Sequence, residues 1–216
     1  MRITGNRNAS LCPSPSYTVG ACSLPIVLNC SDLGVSYDNH LNFKTHVSLI
    51  CKKASSRTKC ILKFFLSRDT LLLTRAFCTF VRPLLEFSSV IWSPYFNNEI
   101  NKIESLQRSF TKSIANLRSS TYKERLVNLK LDSLQLRRLK ADLIMCYKIL
   151  NGLVDVNTSS FLKRSLCPST RGNSLKLAKL AVASERDKNF FTNRVINIWN
   201  ALPDVVVTSC SVSSFK

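Results

Sequence analysis

Glycine is scarce, with five residues in 216. Glycine-rich loops that cradle phosphates are therefore absent. Acidic residues are also few, 13 against 31 Lys and Arg, and no two stand side by side. Two-metal phosphoryl transfer needs carboxylates that hold ions ~3.5–4 Å apart, and no spacing in this chain favours such a set. Histidine is limited to His40 and His46. Neither lies near a nucleophile motif, so a Ser/His or Cys/His centre is not expected. No C-x-x-C occurs among the nine cysteines, and His46 with Cys51 lacks a second close pair, which argues against zinc. No uninterrupted apolar run reaches ~18 residues, so no membrane-spanning helix is expected. Residues 1–16 are polar, carry Pro13 and Pro15, and resemble neither a signal peptide nor a presequence. They are expected to be disordered.

What is abundant is apolar residues and positive charge. Hydrophobic residues make up 45% and the formal net charge is +18. That apolar content suits a chain that buries a core. The charge is unevenly spread. Residues 1–43 are neutral, 44–82 carry +8, 83–100 carry −2, 101–150 carry +7 and 151–216 carry +5. The most basic segments also carry helical apolar spacing. A folded scaffold with a basic face attracts polyanions, nucleic acid first and an anionic membrane second. Cys51, Cys60, Cys78 and Cys146 fall in helical segments, where cysteine packs as a small apolar residue. This fits a reducing, intracellular location, nuclear or cytoplasmic.

The pattern predicts a mainly α fold, a helical bundle with a small N-terminal β-hairpin. Short β-branched runs at 17–37, broken by Gly20, Pro25 and Asn29, suit the hairpin. After Asp38 the period becomes helical. Phe43, Val47, Ile50, Ala54, Ile61 and Phe64 form an apolar stripe with a slip near Arg57. Lys52, Lys53, Arg57, Lys59 and Lys63 lie largely off it. Asp69 is an N-cap for a helix to Val81, which Pro83 should kink or restart. Leu84–Trp92 reads as buried. A long helix from Glu99 to Leu117, capped by Asn97 or Asn98, has Ile100, Ile103, Leu106, Phe110, Ile114 and Leu117 as its stripe, with Lys102, Arg108 and Lys112 elsewhere. Thr121 and Glu124 form a capping box. Ser133 opens another helix, with Leu136, Leu139, Leu143, Cys146, Tyr147 and Leu150 apolar, ended at Asn151-Gly152. Arg137, Arg138 and Lys140 crowd its first turns, the unfavourable end for cations, which hints at an external anion or a solvated face. Val154 to Asn173 looks irregular, Ser174–Val182 a strand or turn, and Asp187–Leu202 a last helix. Arg82 and Glu86 are spaced to pair. Phe43, Phe64, Phe110, Phe190 and Trp199 read as core aromatics rather than base-stacking platforms.

Several blocks resemble the carboxy-terminal part of reverse transcriptases from non-LTR retrotransposons, the jockey-like and related LINE elements. Asp32-Leu-Gly-Val-Ser-Tyr-Asp38 is similar to the segment that closes the family's palm. Val81-Arg-Pro-Leu-Leu-Glu86 followed by Ile91-Trp-Ser-Pro-Tyr95 resembles a second block, and Leu106-Gln-Arg-Ser-Phe-Thr-Lys112 a third. Arg137-Arg138, Asp142-Leu143 and Tyr147-Lys-Ile-Leu-Asn-Gly152 resemble a fourth. Ser169–Ser174 and Phe190–Pro203 are similar to the last ones. In this order the blocks span residues 32–203. The resemblance implies a division into 17–38 as the end of the palm, 39–152 as a helical thumb-like domain, 153–203 as a C-terminal extension with a final helix, and 204–216 as a tail. The family's Ala-Asp-Asp-type motif is absent, as is its other palm acid.

The resemblance therefore implies a truncated fragment of an RNA-directed DNA polymerase, inactive alone. It would bind RNA, RNA–DNA hybrid or DNA without sequence readout, through Lys52, Lys53, Arg57, Lys59 and Lys63 and a second group, Arg108, Lys112, Arg137, Arg138 and Lys140. Mg2+ would belong to the missing palm, and a separate palm-containing polypeptide is a possible partner. No cofactor or small-molecule substrate is expected for this chain itself. The competing readings are a stand-alone nucleic-acid-binding helical protein, a decayed gene product without function, and an anionic-membrane binder using the 44–65 helix.

Overall fold

The computed structural model describes residues 17–25, 27–165, 173–179, 181–182 and 184–216. The expected disorder of 1–16 lies outside them. The chain is mainly helical, with small antiparallel hairpins at its N-terminal end. In chain order the elements are β1 (Thr18–Val19), β2 (Cys22–Ser23), β3 (Asn29–Asp32), β4 (Val35–Asp38), α1 (Lys44–Phe64), α2 (Thr70–Phe80), α3 (Arg82–Glu86), α4 (Ser89–Trp92) and α5 (Asn97–Ser113). A 3₁₀ turn follows at Ala115–Leu117, then α6 (Tyr122–Asn128), α7 (Leu134–Leu150), α8 (Thr158–Phe161), α9 (Glu185–Lys188), α10 (Phe191–Asn200), α11 (Asp204–Val207) and α12 (Val212–Phe215). Contacts group the chain into two compact units. One takes the chain up to Leu85 with Phe96–Phe110; the other takes Glu86–Tyr95 with Thr111–Lys216. The division falls within the expected 39–152 domain.

In the first unit, the expected single hairpin is a pair of hairpins, β1–β2 and β3–β4. Leu33-Gly34 is the two-residue turn between β3 and β4. Both residues have positive φ, +46° and +84°, the geometry that matches the twist of the flanking strands. Val35 turns inward and is buried. On α1 the buried residues are His46, Val47, Ile50, Cys51, Ala54, Thr58 and Ile61. Thr58 fills the slip in the stripe because its hydroxyl donates to the Ala54 carbonyl at 2.8 Å, satisfying itself inside the core. The Asp69 carboxylate accepts from the Leu72 N–H at 2.8 Å and starts α2. Pro83 has no N–H to donate and sits in the first turn of α3, so the chain restarts there rather than kinking. Phe77 on α2 stacks on Phe110 of α5, their ring centres 4.4 Å apart.

In the second unit, α5 stops at Ser113 because Ile114 is extended, and the 3₁₀ turn replaces its expected last turn. The capping box forms as expected: Thr121 Oγ1 accepts from the Glu124 N–H and Glu124 Oε2 accepts from the Thr121 N–H. Ser133 caps α7, and Gly152, at φ +64°, follows its end. The expected 187–202 helix is broken into α9 and α10. Asn189 closes α9, its side chain donating to the Glu185 carbonyl at 2.7 Å, and Phe190 takes an extended conformation before α10. The irregular 154–173 stretch contains α8. Ser174–Val182 contributes a single bridge, Arg164 to Leu177.

The core of this unit gathers Cys146, Tyr147, Ile149 and Leu150 of α7 with Leu162, Leu177, Phe191, Val195, Ile196, Trp199 and Val207. Residues 204–216, expected as a tail, fold onto it. Phe215 stacks on Tyr147 at 4.6 Å and on Trp199 at 5.8 Å, and the Tyr147 hydroxyl donates to the Ser209 carbonyl at 2.6 Å. Apolar burial by Val207 and Phe215 is what turns those residues into structure.

Candidate nucleic-acid interface

The first-unit site is the outer face of α1. The helix carries Lys44, Lys52, Lys53, Arg57, Lys59 and Lys63 and no acidic residue. With its apolar side buried, Lys52, Lys53, Arg57, Lys59 and Lys63 are all exposed. At 100° per residue, Lys52, Lys59 and Lys63 form one column about 16 Å long. Lys53 and Arg57, one turn apart, lie about 100–140° round the helix from it. Among the described residues, no carboxylate pairs with Lys52, Lys53, Lys59 or Lys63. The Arg57 guanidinium donates to the Phe80 carbonyl at 3.0 Å, which pins it over the end of α2.

Other cations of this unit are more engaged. Lys44 lies 5.3 Å from the Phe96 ring centre, and Lys102 Nζ donates to Ser48 Oγ at 2.9 Å. Burial pushes the Glu99 carboxyl above its ordinary value, against the pull of Lys44 and Lys102. Arg108 is exposed on α5. His46 is buried at the foot of α1, where Nδ1 accepts from the Ser36 N–H of β4 at 3.3 Å. Burial lowers its pKa, and Lys53 adds to that.

The aromatic expectation is corrected here. Phe110 and Trp199 are fully buried, but Phe64 is 70% and Phe190 51% exposed. Phe64 ends α1, and the chain turns away at Phe65, so no second helix covers its ring. It stands eleven residues from Lys53 and seven from Arg57, in their column, and Lys63 Nζ lies 5.6 Å from its ring centre.

The remaining candidates belong to the second unit. Lys112 is exposed. On α7 the expected basic face is largely neutralised. Arg137 forms a two-pronged ion pair with Glu86. Lys140 pairs with Asp132 at 2.6 Å. Arg138 is only 3% exposed, on the buried side of α7, with Asp142 one turn on. The expected apolar stripe fails at this point too, since Leu136 points to solvent. Arg194 explains why: from α10 it donates to both oxygens of Asp142, and to the carbonyls of Val90 at 2.7 Å and Asn189 at 3.1 Å. Burial still pushes the Asp142 carboxyl up, against these guanidiniums. A cleft of about 510 Å³ runs beside α7, with Glu86, Asp132, Arg137 and Lys140 on its polar side and Leu143 and Phe215 on its apolar side. Its two acids face three bases once Lys216 is counted, and Arg137 and Lys140 are already held in ion pairs. Thus the structure holds the α1 cations on one open face, pairs Arg137 with Glu86 and Lys140 with Asp132, and buries Arg138.

Among the described residues no three of His, Cys, Asp and Glu gather as metal ligands. No described helix is long and apolar enough to cross a membrane. Fold and site together define a mainly helical protein with one open basic helix face. No family model matches the chain, and no solved structure matches it. It is similar to the "Uncharacterized protein B0403.1" of Caenorhabditis elegans, 24% identical over 138 residues, covering 62% of this chain and 70% of that protein.

Proposed function

We propose that the chain is the post-palm, thumb-like portion of a non-LTR retrotransposon reverse transcriptase, which grips nucleic acid by its backbone through α1 and performs no polymerisation alone. The carrying observation is α1 itself: an outer face with Lys52, Lys53, Lys59 and Lys63 exposed, and no acid on the helix. Cations so placed release condensed counterions when they meet phosphates, which gives affinity without base readout. The ordered blocks from Asp32 to Pro203 supply the polymerase half of the reading. Of the ten residues first considered, the α1 five carry it, with Arg108 and Lys112 as exposed additions. Arg137 and Lys140 would first have to leave Glu86 and Asp132, and Arg138 would have to leave the interior.

The test is titration of labelled RNA–DNA hybrid and B-DNA at several salt concentrations. The log–log slope on B-DNA should be about −0.9 per phosphate neutralised. Replacing Lys52, Lys59 and Lys63 together by Glu should flatten that slope by roughly three and weaken every sequence alike. A flat slope in the parent chain overturns the binding half. Robust primer extension by the purified chain with Mg2+ or Mn2+ overturns the claim that it does not polymerise alone.

A further inference from the structure

We propose that Phe64 is a base-stacking platform, so that the α1 face takes nucleic acid carrying an unpaired base and not only duplex backbone. The inference rests on the nucleic-acid reading above and names the form of ligand that face selects.

Three observations converge on Phe64. Its ring is 70% exposed at the very end of α1, although burying an apolar residue of this size is favourable. It lies in the same helical column as Lys53 and Arg57, with the Lys52–Lys59–Lys63 column about a third of a turn round the helix. Arg57, the nearest cation in its column, is held by the Phe80 carbonyl, so the track leading to the ring is braced. A strand whose phosphates meet Lys53 and then Arg57 reaches the ring after about 16 Å of helix. Every base has a π face, so stacking there is tolerant of sequence, in keeping with a backbone-gripping site. A base held inside a duplex is already stacked and cannot lie on the ring, so the ligand must offer an unpaired one. Leu66, Leu71 and Leu72 are also exposed in this unit. They make an anionic membrane the rival occupant. The net charge of α1, six cations and no acid, suits both polyanions, but a ring standing in line with spaced cations is the arrangement that single strands use.

The experiment uses the full chain and four probes: a blunt hybrid duplex, the same duplex with a short unpaired extension, that extension made abasic, and vesicles rich in phosphatidylserine. The parent chain should bind the extended duplex at least fivefold more tightly than the blunt or abasic forms, the low end of what one stacked base contributes. Phe64→Ala should remove that advantage and leave blunt-duplex affinity and its salt slope unchanged. Phe64→Trp should restore the preference. Urea unfolding of each variant verifies that the fold is kept. Equal binding to all three duplexes, or a Phe64→Ala variant that keeps the preference, overturns the proposal while leaving backbone binding intact. Phe64→Ala that loses vesicle binding but not the extension preference also overturns it. Absence of binding to any duplex overturns the underlying reading instead.

Discussion

Arg194 grips Asp142 with two nitrogens, Nε on one carboxylate oxygen at 2.9 Å and Nη2 on the other at 2.8 Å, across 52 residues of sequence. Both side chains are largely buried, at 16% and 6% exposure. Because Arg194 also ties down the Val90 and Asn189 carbonyls, this pair joins α10 and α7 to α4 within the second unit. Removing one partner leaves a buried charge uncompensated. Arg194→Met should cost about 3–5 kcal/mol of stability, and Arg194→Lys should recover only part of it, lacking the fork. Urea unfolding followed by circular dichroism reads both.

His46 makes the first unit sensitive to acid. Its folded pKa lies below the ordinary value because burial and Lys53 oppose the charged ring. The unfolded chain therefore binds protons more readily as pH falls through the ordinary histidine range, about 6.5. Stability is highest above that range and declines below it. His46→Asn, which keeps an acceptor for the Ser36 N–H, should flatten the dependence of the urea midpoint between pH 7.5 and 5.5. A midpoint that rises on acidification in the parent would contradict the assignment.

Thr121→Ala removes one half of the capping box. The expected loss is about 1 kcal/mol. Glu124 offers a second readout. Hydrogen bonds from Thr121 hold its carboxyl below the ordinary value, through the backbone and then the side chain. NMR titration should find the Glu124 carboxyl moved back up in the variant, by the side-chain share alone.

Leu33 occupies a left-handed turn position at φ +46° and is exposed. Asn tolerates that conformation far better, and Asn-Gly is the favoured pair for this turn. Leu33→Asn should stabilise the hairpin unit by roughly 0.5–1 kcal/mol. An unchanged thermal midpoint would mean that the turn frays before global unfolding.

Phe215→Ala tests the C-terminal fold-back. The ring is half-buried against Tyr147 and Trp199, so its loss should cost about 2 kcal/mol. Intrinsic tryptophan emission should shift to the red as Trp199 meets water.

Local chemistry made much of this structure legible in advance. Asp69, Thr121 with Glu124, and Ser133 cap helices because each side chain satisfies an N–H within three residues, a relation visible in sequence. The α1 stripe was readable from its period, apart from the exposed Phe64 at its end, the buried His46, and Thr58, whose burial depends on a hydrogen bond to its own helix. What failed was information carried by distant partners. Arg138 and Leu136 exchange their expected places because Asp142 and Arg194 put charge inside the second unit, and no periodic rule anticipates a pair 52 residues apart. The tail became helices for the same reason, since Phe215 has its ring partners at Tyr147 and Trp199. Phe64 was misplaced because a stripe says which side of a helix is apolar, not whether another element arrives to cover its last turn.

Two sulfurs offer separate clocks. Cys51 is packed inside α1 and Cys146 inside α7, one in each unit. Burial, helped by the Asp142 charge, pushes the Cys146 thiol up to about 12. Thiolate is the reactive form, so an alkylating reagent at neutral pH meets Cys146 only when its surroundings open. The labelling rate at each sulfur, separated by mass spectrometry of the digested chain, then measures how often that half of the molecule breathes.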